Sequence, residues 1–194
     1  MSIAQKYSEK TMLQNLFGVS PVKQAAESLY ASAVEAGRNS VLYTDYGVPD
    51  TVDGRFEMIS LHVYVLLRRL KSVGPEGKTL SQTLFDRMFD DMDRTLREMG
   101  AGDLGVGRRV KEMARAFYGR IAAYDDGLGE HDPAALQLAL ERNVFRGSDA
   151  VSDDQAGQVF ALARYLKVLA REMDRCDTDR LLSGQVTFPA LATS

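Results

Sequence analysis

The sequence predicts an all-α fold, a single-domain helical bundle of about six helices. Apolar residues recur at spacings of three and four along most of the chain, as they do on one face of an α-helix. Glycine and proline divide this pattern into stretches of helical length, and no stretch shows a convincing strand pattern. The length of 194 residues and the hydrophobic fraction of 45% are sufficient for one compact core.

The first predicted helix spans residues 21–36. Ser20 is a helix-capping residue type, Pro21 suits a first helical turn, and Gly37 favours a helix end. The glycine and proline residues of segment 43–54 then predict a loop.

A central helix is predicted after this loop. Asp53 is a suitable N-cap, and the basic residues around Lys71 suit a C-terminus, where the helix dipole favours cations. Apolar residues continue from one face onto others, which indicates a helix enclosed by its neighbours. The residues at helical spacing are Phe56, Ile59, Val63, Leu66, Leu67 and Leu70.

Four further helices are predicted in the rest of the chain. The Gly-Pro pair at 74–75 interrupts the chain, and a long helix is predicted from Thr79 or Ser81 to Met99. Glycines then predict a turn over residues 100–107. The last three helices are predicted to follow this turn until Gly127 and Gly129 end the first of them, to span 133–144, and to span 153–176.

These elements predict the domain organisation. Residues 20–178 are expected to form the helical domain, and no low-complexity tract divides it. Residues 1–19 are expected to be a flexible N-terminal segment. Residues 179–194 are expected to be a loosely packed C-terminal tail.

Charge and hydropathy narrow the classes of partner. The net charge of -3 and the pI near 5.5 disfavour a nucleic-acid-binding protein, which usually has a large positive excess. No stretch has the ~18 consecutive apolar residues of a membrane span, so no integral membrane segment is expected. The first residues lack the features of a targeting presequence. We therefore expect a cytoplasmic protein that can be peripheral to the inner membrane.

Three carboxylates near the middle of the chain suggest one alternative function. Asp90, Asp91 and Asp93 could hold Mg²⁺ in an all-helical enzyme of isoprenoid or quinone metabolism. The D-D-x-x-D spacing of prenyl-diphosphate synthases is absent, however, because the third carboxylate comes one residue early. Arg94 and Arg97 each follow an aspartate by four residues, which favours a salt-bridged helix surface without a metal site.

A haem carrier is the second alternative, with His62 or a methionine as axial ligand. His62 lies three residues before Val65 and four before Leu66, so we expect a hydrogen-bonded core histidine and no bound cofactor. His131 stands beside a helix start and has no assigned role. No Ser or Cys nucleophile lies in a catalytic signature, so no enzyme activity is expected.

A basic stripe is predicted on the helix that follows the glycine-rich turn. Arg108, Lys111 and Arg115 recur at spacings of three and four, and Tyr118 takes the next position of this stripe. Arg and Tyr are favoured contact residues, and cations attract carboxylates and phosphates. The stripe is either a binding surface for a partner that carries carboxylates or phosphates, or a solvated helix face.

The order of short motifs across four helices resembles the ubiquinol-cytochrome c chaperone family over roughly residues 40–170. Each motif is short, and it is their order that carries the resemblance. They include segments 53–56, 84–86, 90–93, 96–100, 117–120, 139–145 and 163–166, which read DGRF, LFD, DDMD, LREMG, FYGR, ALERNVF and ARYL.

The resemblance implies an assembly chaperone that binds newly made cytochrome b and supports the biogenesis of respiratory complex III. A small partner subunit and the ribosome are further partners that the resemblance suggests, whereas it suggests no nucleic acid and no cofactor. The residues expected to contact a partner are Arg108, Lys111, Arg115, Phe117, Tyr118 and Arg120.

Four other residues are expected to have structural roles. Asp93 and Arg97 are expected to form a pair that maintains the fold, and Asp103 to cap the helix that follows it. Gly119 lies within a predicted helix, where it costs up to about 1 kcal/mol relative to Ala. We therefore expect a close crossing of two helices at Gly119.

Overall fold

The all-α prediction is confirmed, and helices form every regular element of the described residues. The computed structural model describes residues 20–98, 100, 103–129, 133–145 and 153–191. None of the helices in these ranges combines the length and the apolar character needed to cross a membrane. They are α1 (Pro21–Gly37), α2 (Val41–Thr44), α3 (Val52–Lys71), α4 (Pro75–Glu98), α5 (Asp103–Gly129), α6 (Pro133–Val144), α7 (Asp153–Asp174) and α8 (Thr178–Leu182).

Helix α3 lies at the centre of the fold, as its apolar residues on several faces predict. Every residue from Glu57 to Leu66 is buried. One face of α3 packs in an apolar cluster with α1, α4, α5 and α8, and another face packs in a cluster with α2, α6 and α7. Helix α5 contributes to both clusters, so its position is fixed by the whole core.

The starts of α3 and α4 differ from the predicted positions. Thr51 caps α3, since its Oγ1 accepts a hydrogen bond from the backbone N–H of Gly54 at 3.1 Å, and Asp53 lies in the first turn. Helix α4 begins at Pro75, four residues before Thr79. A proline suits this position because the first N–H groups of a helix have no partner within it.

The turn between α4 and α5 is shorter than predicted. Gly100 has a φ of 84°, in the left-handed region that often ends a helix, and its N–H donates to the carbonyl of Arg97 at 2.9 Å. Helix α5 already begins at Asp103, so Gly105 and Gly107 are helical residues. Helix α5 follows this shorter connection and packs against α4.

The C-terminal segment packs on the helices, contrary to the expected loose tail. The half-buried ring of Phe188 lies with its centroid 5.1 Å from that of His62. Gly184 has a φ of 82°, and a Cβ at this position would lie 2.8 Å from the backbone of Ala25 in α1. Only glycine suits both the backbone conformation and the contact. The packed fold thus extends to residue 191, beyond the expected domain end at 178.

Candidate functional site

The basic stripe lies on the exposed face of α5. Arg108, Lys111, Arg115 and Tyr118 are all exposed. Arg108 lies 3.8 Å from Glu112, but these side chains are 78% and 62% exposed, so solvent screens most of their attraction. Within the described ranges, Lys111 and Arg115 form no ion pair with a carboxylate. The stripe therefore presents two cations, Lys111 and Arg115, that have no carboxylate partner in the described part of the chain.

Tyr118 is exposed but rests on an aromatic neighbour. Its ring centroid lies 5.3 Å from that of Phe85 in α4, with 31° between the two ring planes. The Phe85 ring is itself held by Phe89, at a centroid distance of 4.6 Å. Because 57% of Tyr118 stays accessible, α4 orients this ring without covering it.

The structure corrects the expectation that Phe117 contacts a partner. Phe117 is fully buried, with centroid distances of 6.0 Å to Phe85 and 6.1 Å to Phe89. Successive residues of an α-helix point about 100° apart, so Phe117 faces the core while Tyr118 faces solvent. Phe117 therefore stabilises the packing of α4 on α5 and presents no surface to a partner.

Arg120 is also an interior residue, so the structure corrects the expectation that it contacts a partner as well. Its Nε donates a hydrogen bond to Oε2 of Glu57 at 2.6 Å, and its Nη2 donates a second one to Oε1. Both side chains are 5% exposed, and the guanidinium carbon lies 5.9 Å from the ring centroid of Phe56. The two-point pair satisfies both buried charges and joins α5 to α3.

Glu57 is a structural residue that the sequence analysis missed. It lies four residues before Leu61 and seven before Tyr64, on one face of α3. A carboxylate on an otherwise apolar face requires a buried cation or several hydrogen bonds. The occurrence of Glu57 on this apolar face could therefore have predicted an internal ion pair.

Asp93 and Arg97 form an ion pair on the surface of α4. The distance between Oδ2 and Nε is 2.5 Å, and this hydrogen bond lowers the pKa of Asp93. Both side chains are substantially exposed, so the pair contributes little to stability. The expected cap by Asp103 involves a side chain that lies outside the described part of the structure.

The expectation of a close helix crossing at Gly119 is wrong. Gly119 is exposed, and a Cβ at this position would meet no atom within 4 Å. A close crossing does occur two turns later in α5, at Gly127. A Cβ there would lie 2.7 Å from Cα of Leu136, in α6. The glycine needed for helix packing is therefore Gly127.

Asp91 of α4 has several structural partners. The Tyr30 hydroxyl of α1 donates to Asp91 at 2.9 Å, and both Arg87 and Arg94 form ion pairs with Asp91. Arg94 thus pairs three residues back with Asp91 and not with Asp90. In the described part of the chain, no three His, Cys, Asp or Glu side chains form a group that could hold a metal ion.

His62 is the hydrogen-bonded core histidine that its apolar neighbours predict. Its Nδ1 lies 2.7 Å from the carbonyl oxygen of Met58, and its Nε2 lies 2.8 Å from the hydroxyl of Tyr165. Because a carbonyl only accepts, Nδ1 carries the proton and Nε2 accepts from Tyr165. Burial lowers the pKa of His62 to about 4. The neutral ring has both nitrogens engaged, which leaves neither free to bind a haem iron.

A cleft of about 460 Å³ opens beside Tyr118, between α3, α4 and α5. The sequence did not predict it, because its residues come from three helices and its apolar positions are typical of a core. The lining residues are Tyr64, Leu67, Arg68, Lys71, Gly74, Lys78, Ser81, Gln82, Phe85, Tyr118, Ile121 and Asp125, and this set is called the cleft below.

The sequence is similar to proteins of respiratory-complex assembly. The family model described as Ubiquinol-cytochrome C chaperone matches residues 44–188. Ubiquinol-cytochrome-c reductase complex assembly factor 1 of Xenopus laevis is 28% identical over 171 residues, which are 88% of this chain and 83% of that protein. Protein CBP3, mitochondrial, of Saccharomyces cerevisiae is 29% identical over 140 residues, 69% of this chain and 41% of that protein.

The likeness extends to the fold. The crystal structure of the Cbp3 homolog from Brucella abortus has a TM-score of 0.78 and 31% sequence identity to this chain, over 98% of each chain. The mouse assembly factor 1 is longer, and this chain spans 56% of it. The similarity therefore covers nearly all of this chain but only part of the longer relatives.

Proposed function

This chain belongs to the ubiquinol-cytochrome c chaperone family, and on that premise we propose that it is an assembly factor of respiratory complex III whose client is newly made cytochrome b. The likeness to the Brucella abortus Cbp3 homolog, at 31% identity over 98% of both chains, is the observation that carries the proposal. It supports the assembly role more strongly than any single motif, because it involves the whole fold.

The basic stripe fits the contact with this client. Its two arginines and the oriented ring of Tyr118 are residue types that often dominate binding energy at protein interfaces. Lys111 and Arg115 have no carboxylate partner among the described residues, so they can pair with acidic groups of a client. Phe117 and Arg120 support this face from the interior through Phe89 and Glu57.

The protein acts in this proposal by binding and not by catalysis. Among the groups weighed for metal or haem chemistry, Asp91 is engaged by Tyr30, Asp93 by Arg97 and His62 by Tyr165. The proposed place of action is the cytoplasm, at the periphery of the membrane that receives the client. A small partner subunit or the ribosome would occupy a surface other than the stripe.

Site-specific photocrosslinking in cells that make cytochrome b tests the client and the surface together. A photoreactive amino acid at position 115 or 118 is expected to capture cytochrome b. The control is the exposed position of Lys23 in α1, from which no such product is expected. Capture from position 23 alone would move the client to another surface. Absence of cytochrome b from every product would contradict the proposed client.

Charge reversal on the stripe tests whether the contact matters for assembly. The double variant Lys111→Glu/Arg115→Glu is expected to lower the level of cytochrome b and of assembled complex III while leaving the melting temperature unchanged. The matched control reverses two exposed cations elsewhere, Lys23→Glu/Arg164→Glu. Equal loss of cytochrome b in both double variants would show an effect of net charge and would argue against the stripe.

A further inference from the structure

The cleft has an apolar interior. Leu67 of α3, Phe85 of α4 and Ile121 of α5 form its walls, and the ring of Tyr118 stands at its edge. Its volume of about 460 Å³ is typical of pockets that enclose a small molecule, roughly 300 to 1,000 Å³. Concave apolar sites with a few polar groups are the usual form of such binding sites.

The charges around the cleft are distributed unequally. Lys71 at the end of α3 and Lys78 in the first turns of α4 stand at the end where a short loop joins these helices. Both are exposed, and neither pairs with a carboxylate of the described chain. At the far end, Asp125 accepts a hydrogen bond from the Tyr64 hydroxyl at 2.8 Å. One end therefore has two exposed lysines, and the other contains the Asp125 carboxylate, whose charge the nearby guanidinium of Arg68 partly offsets.

The distance between the two ends defines the ligand further. Lys71 follows Tyr64 by seven residues along α3, and Phe85 follows Lys78 by seven along α4. Seven residues of helix span about 10 Å. A ligand with its anionic group at the lysines would therefore lay an unbranched apolar part of about this length along the cleft towards the Phe85 ring.

We propose that the cleft binds a single-chain anionic amphiphile, a fatty-acid carboxylate, with its head at Lys71 and Lys78 and its chain against Leu67, Phe85 and Ile121. The head is expected at the lysine end, because the cation nearest Asp125, Arg68, is already paired with Asp174. This site goes beyond the proposed assembly function and does not depend on it.

The size of the cleft favours a single chain over a helix of a protein client. An α-helix rises 5.4 Å per turn, so the roughly 10 Å between the ends of the cleft would meet only about two turns of a client helix. An extended acyl chain, by contrast, can bury most of its length there.

The number of cations favours a single amphiphile over a bilayer surface. Protein segments that bind anionic membranes usually present clusters of about four to eight Lys or Arg residues. Of the three cations that line the cleft, Lys71 and Lys78 have no carboxylate partner among the described residues, whereas Arg68 donates to Asp174 at 2.7 Å. Two cations at the mouth of a concave site suit one carboxylate head.

Calorimetric titration of the purified full-length protein with laurate, below its critical micelle concentration, tests this site without cytochrome b. We expect one laurate per chain and at least tenfold weaker binding of uncharged dodecanol. Lys71→Gln and Lys78→Gln are each expected to weaken laurate about threefold, and the pair together about tenfold. The control Lys23→Gln is expected to bind like the unaltered protein. Ser81→Phe, which fills the cleft, is expected to abolish binding, provided that its circular dichroism shows an intact fold.

Three results would overturn the proposal. One is a failure of laurate to bind, and another is equal binding of laurate and dodecanol. The third is laurate binding that both lysine variants leave unchanged. Two further measurements test the alternative occupants of the cleft. One is sedimentation with phosphatidylglycerol vesicles, and the other is titration with an acidic, apolar helical peptide. Binding of either, without binding of laurate, would assign the cleft to a membrane or to a polypeptide instead.

Discussion

Glu57 of α3 and Arg120 of α5 form a two-point ion pair in the interior, although 63 residues separate them in the sequence. With both side chains 5% exposed, each charge depends on the other and not on water. We expect Arg120→Leu to lower the free energy of unfolding by about 3 to 5 kcal/mol, because the carboxylate stays buried without its cation. Urea unfolding followed by circular dichroism measures this loss.

A double variant distinguishes the interaction between Glu57 and Arg120 from the contribution that each residue makes alone. Glu57→Leu/Arg120→Leu is expected to lose less stability than Arg120→Leu alone, because no unpaired charge remains in the core. The control is Arg55→Leu, which removes an exposed arginine-carboxylate pair with Asp50 and should leave the unfolding midpoint unchanged. Additive losses in the double variant would mean that the two charges are stabilised independently.

The buried His62 predicts a loss of stability in mild acid. Its pKa is about 4 in the folded protein, because burial disfavours the charged ring, against an ordinary value of 6.5. The unfolded chain therefore binds this proton more tightly. The contribution of His62 is fully present above pH 6.5 and is lost as the pH falls towards 4, by up to about 3 kcal/mol. Urea unfolding across this pH range measures the loss.

A variant without a titratable ring isolates this effect from that of the carboxylates. His62→Gln keeps an amide donor for the Met58 carbonyl and an acceptor for the Tyr165 hydroxyl. We expect the unaltered protein to lose about 3 kcal/mol more than this variant between about pH 7 and pH 4. The same pH dependence in both proteins would show that His62 does not titrate on unfolding.

Two glycines of α5 predict opposite effects of the same substitution. Gly127→Ala is expected to lower the free energy of unfolding by about 1 to 3 kcal/mol, because the new Cβ would lie 2.7 Å from Cα of Leu136 and push α6 away. Gly119→Ala is its matched control. It meets open space and should stabilise the helix by about 0.5 to 1 kcal/mol. Thermal unfolding of both variants decides between these signs, and a destabilised Gly119→Ala would contradict the open environment.

The local sequence pattern predicts the positions of the helices more accurately than it predicts their capping residues. The spacing of apolar residues correctly predicts α3 as a central helix, and the helix starts at Pro133 and Asp153 agree with the structure. The cap of α3 could not be chosen, because Thr51 and Asp53 are both capping residue types. The extended backbone at Thr51, with φ of -121° and ψ of 169°, decides between them and depends on the preceding loop.

The candidate site could be predicted only where it faces solvent. The basic stripe follows from helical spacing, which places Lys111, Arg115 and Tyr118 on one face. The burial of Phe117 and Arg120 could not be derived in this way. It depends on neighbours from other helices, and no spacing within α5 indicates which residues those are.

The packing of the C-terminal segment predicts that removing the ring of Phe188 lowers both the stability of the protein and the burial of His62. Phe188 packs against both apolar clusters, and its ring meets the His62 ring at 89°. Phe188→Ala is expected to lower the free energy of unfolding by about 1 to 3 kcal/mol, less than for a fully buried ring, because part of the side chain is already exposed.

The same variant should raise the pKa of His62 from about 4 towards 6.5, because water reaches a ring that burial had kept neutral. Titration of the histidine ring signals by nuclear magnetic resonance measures this pKa. Thr187→Ala, an exposed neighbour in the same segment, is the control and should change neither quantity. If Phe188→Ala left the stability and the pKa of His62 unchanged, residues 183–191 would not be part of the cooperative fold. The domain would then end with α8, near residue 182.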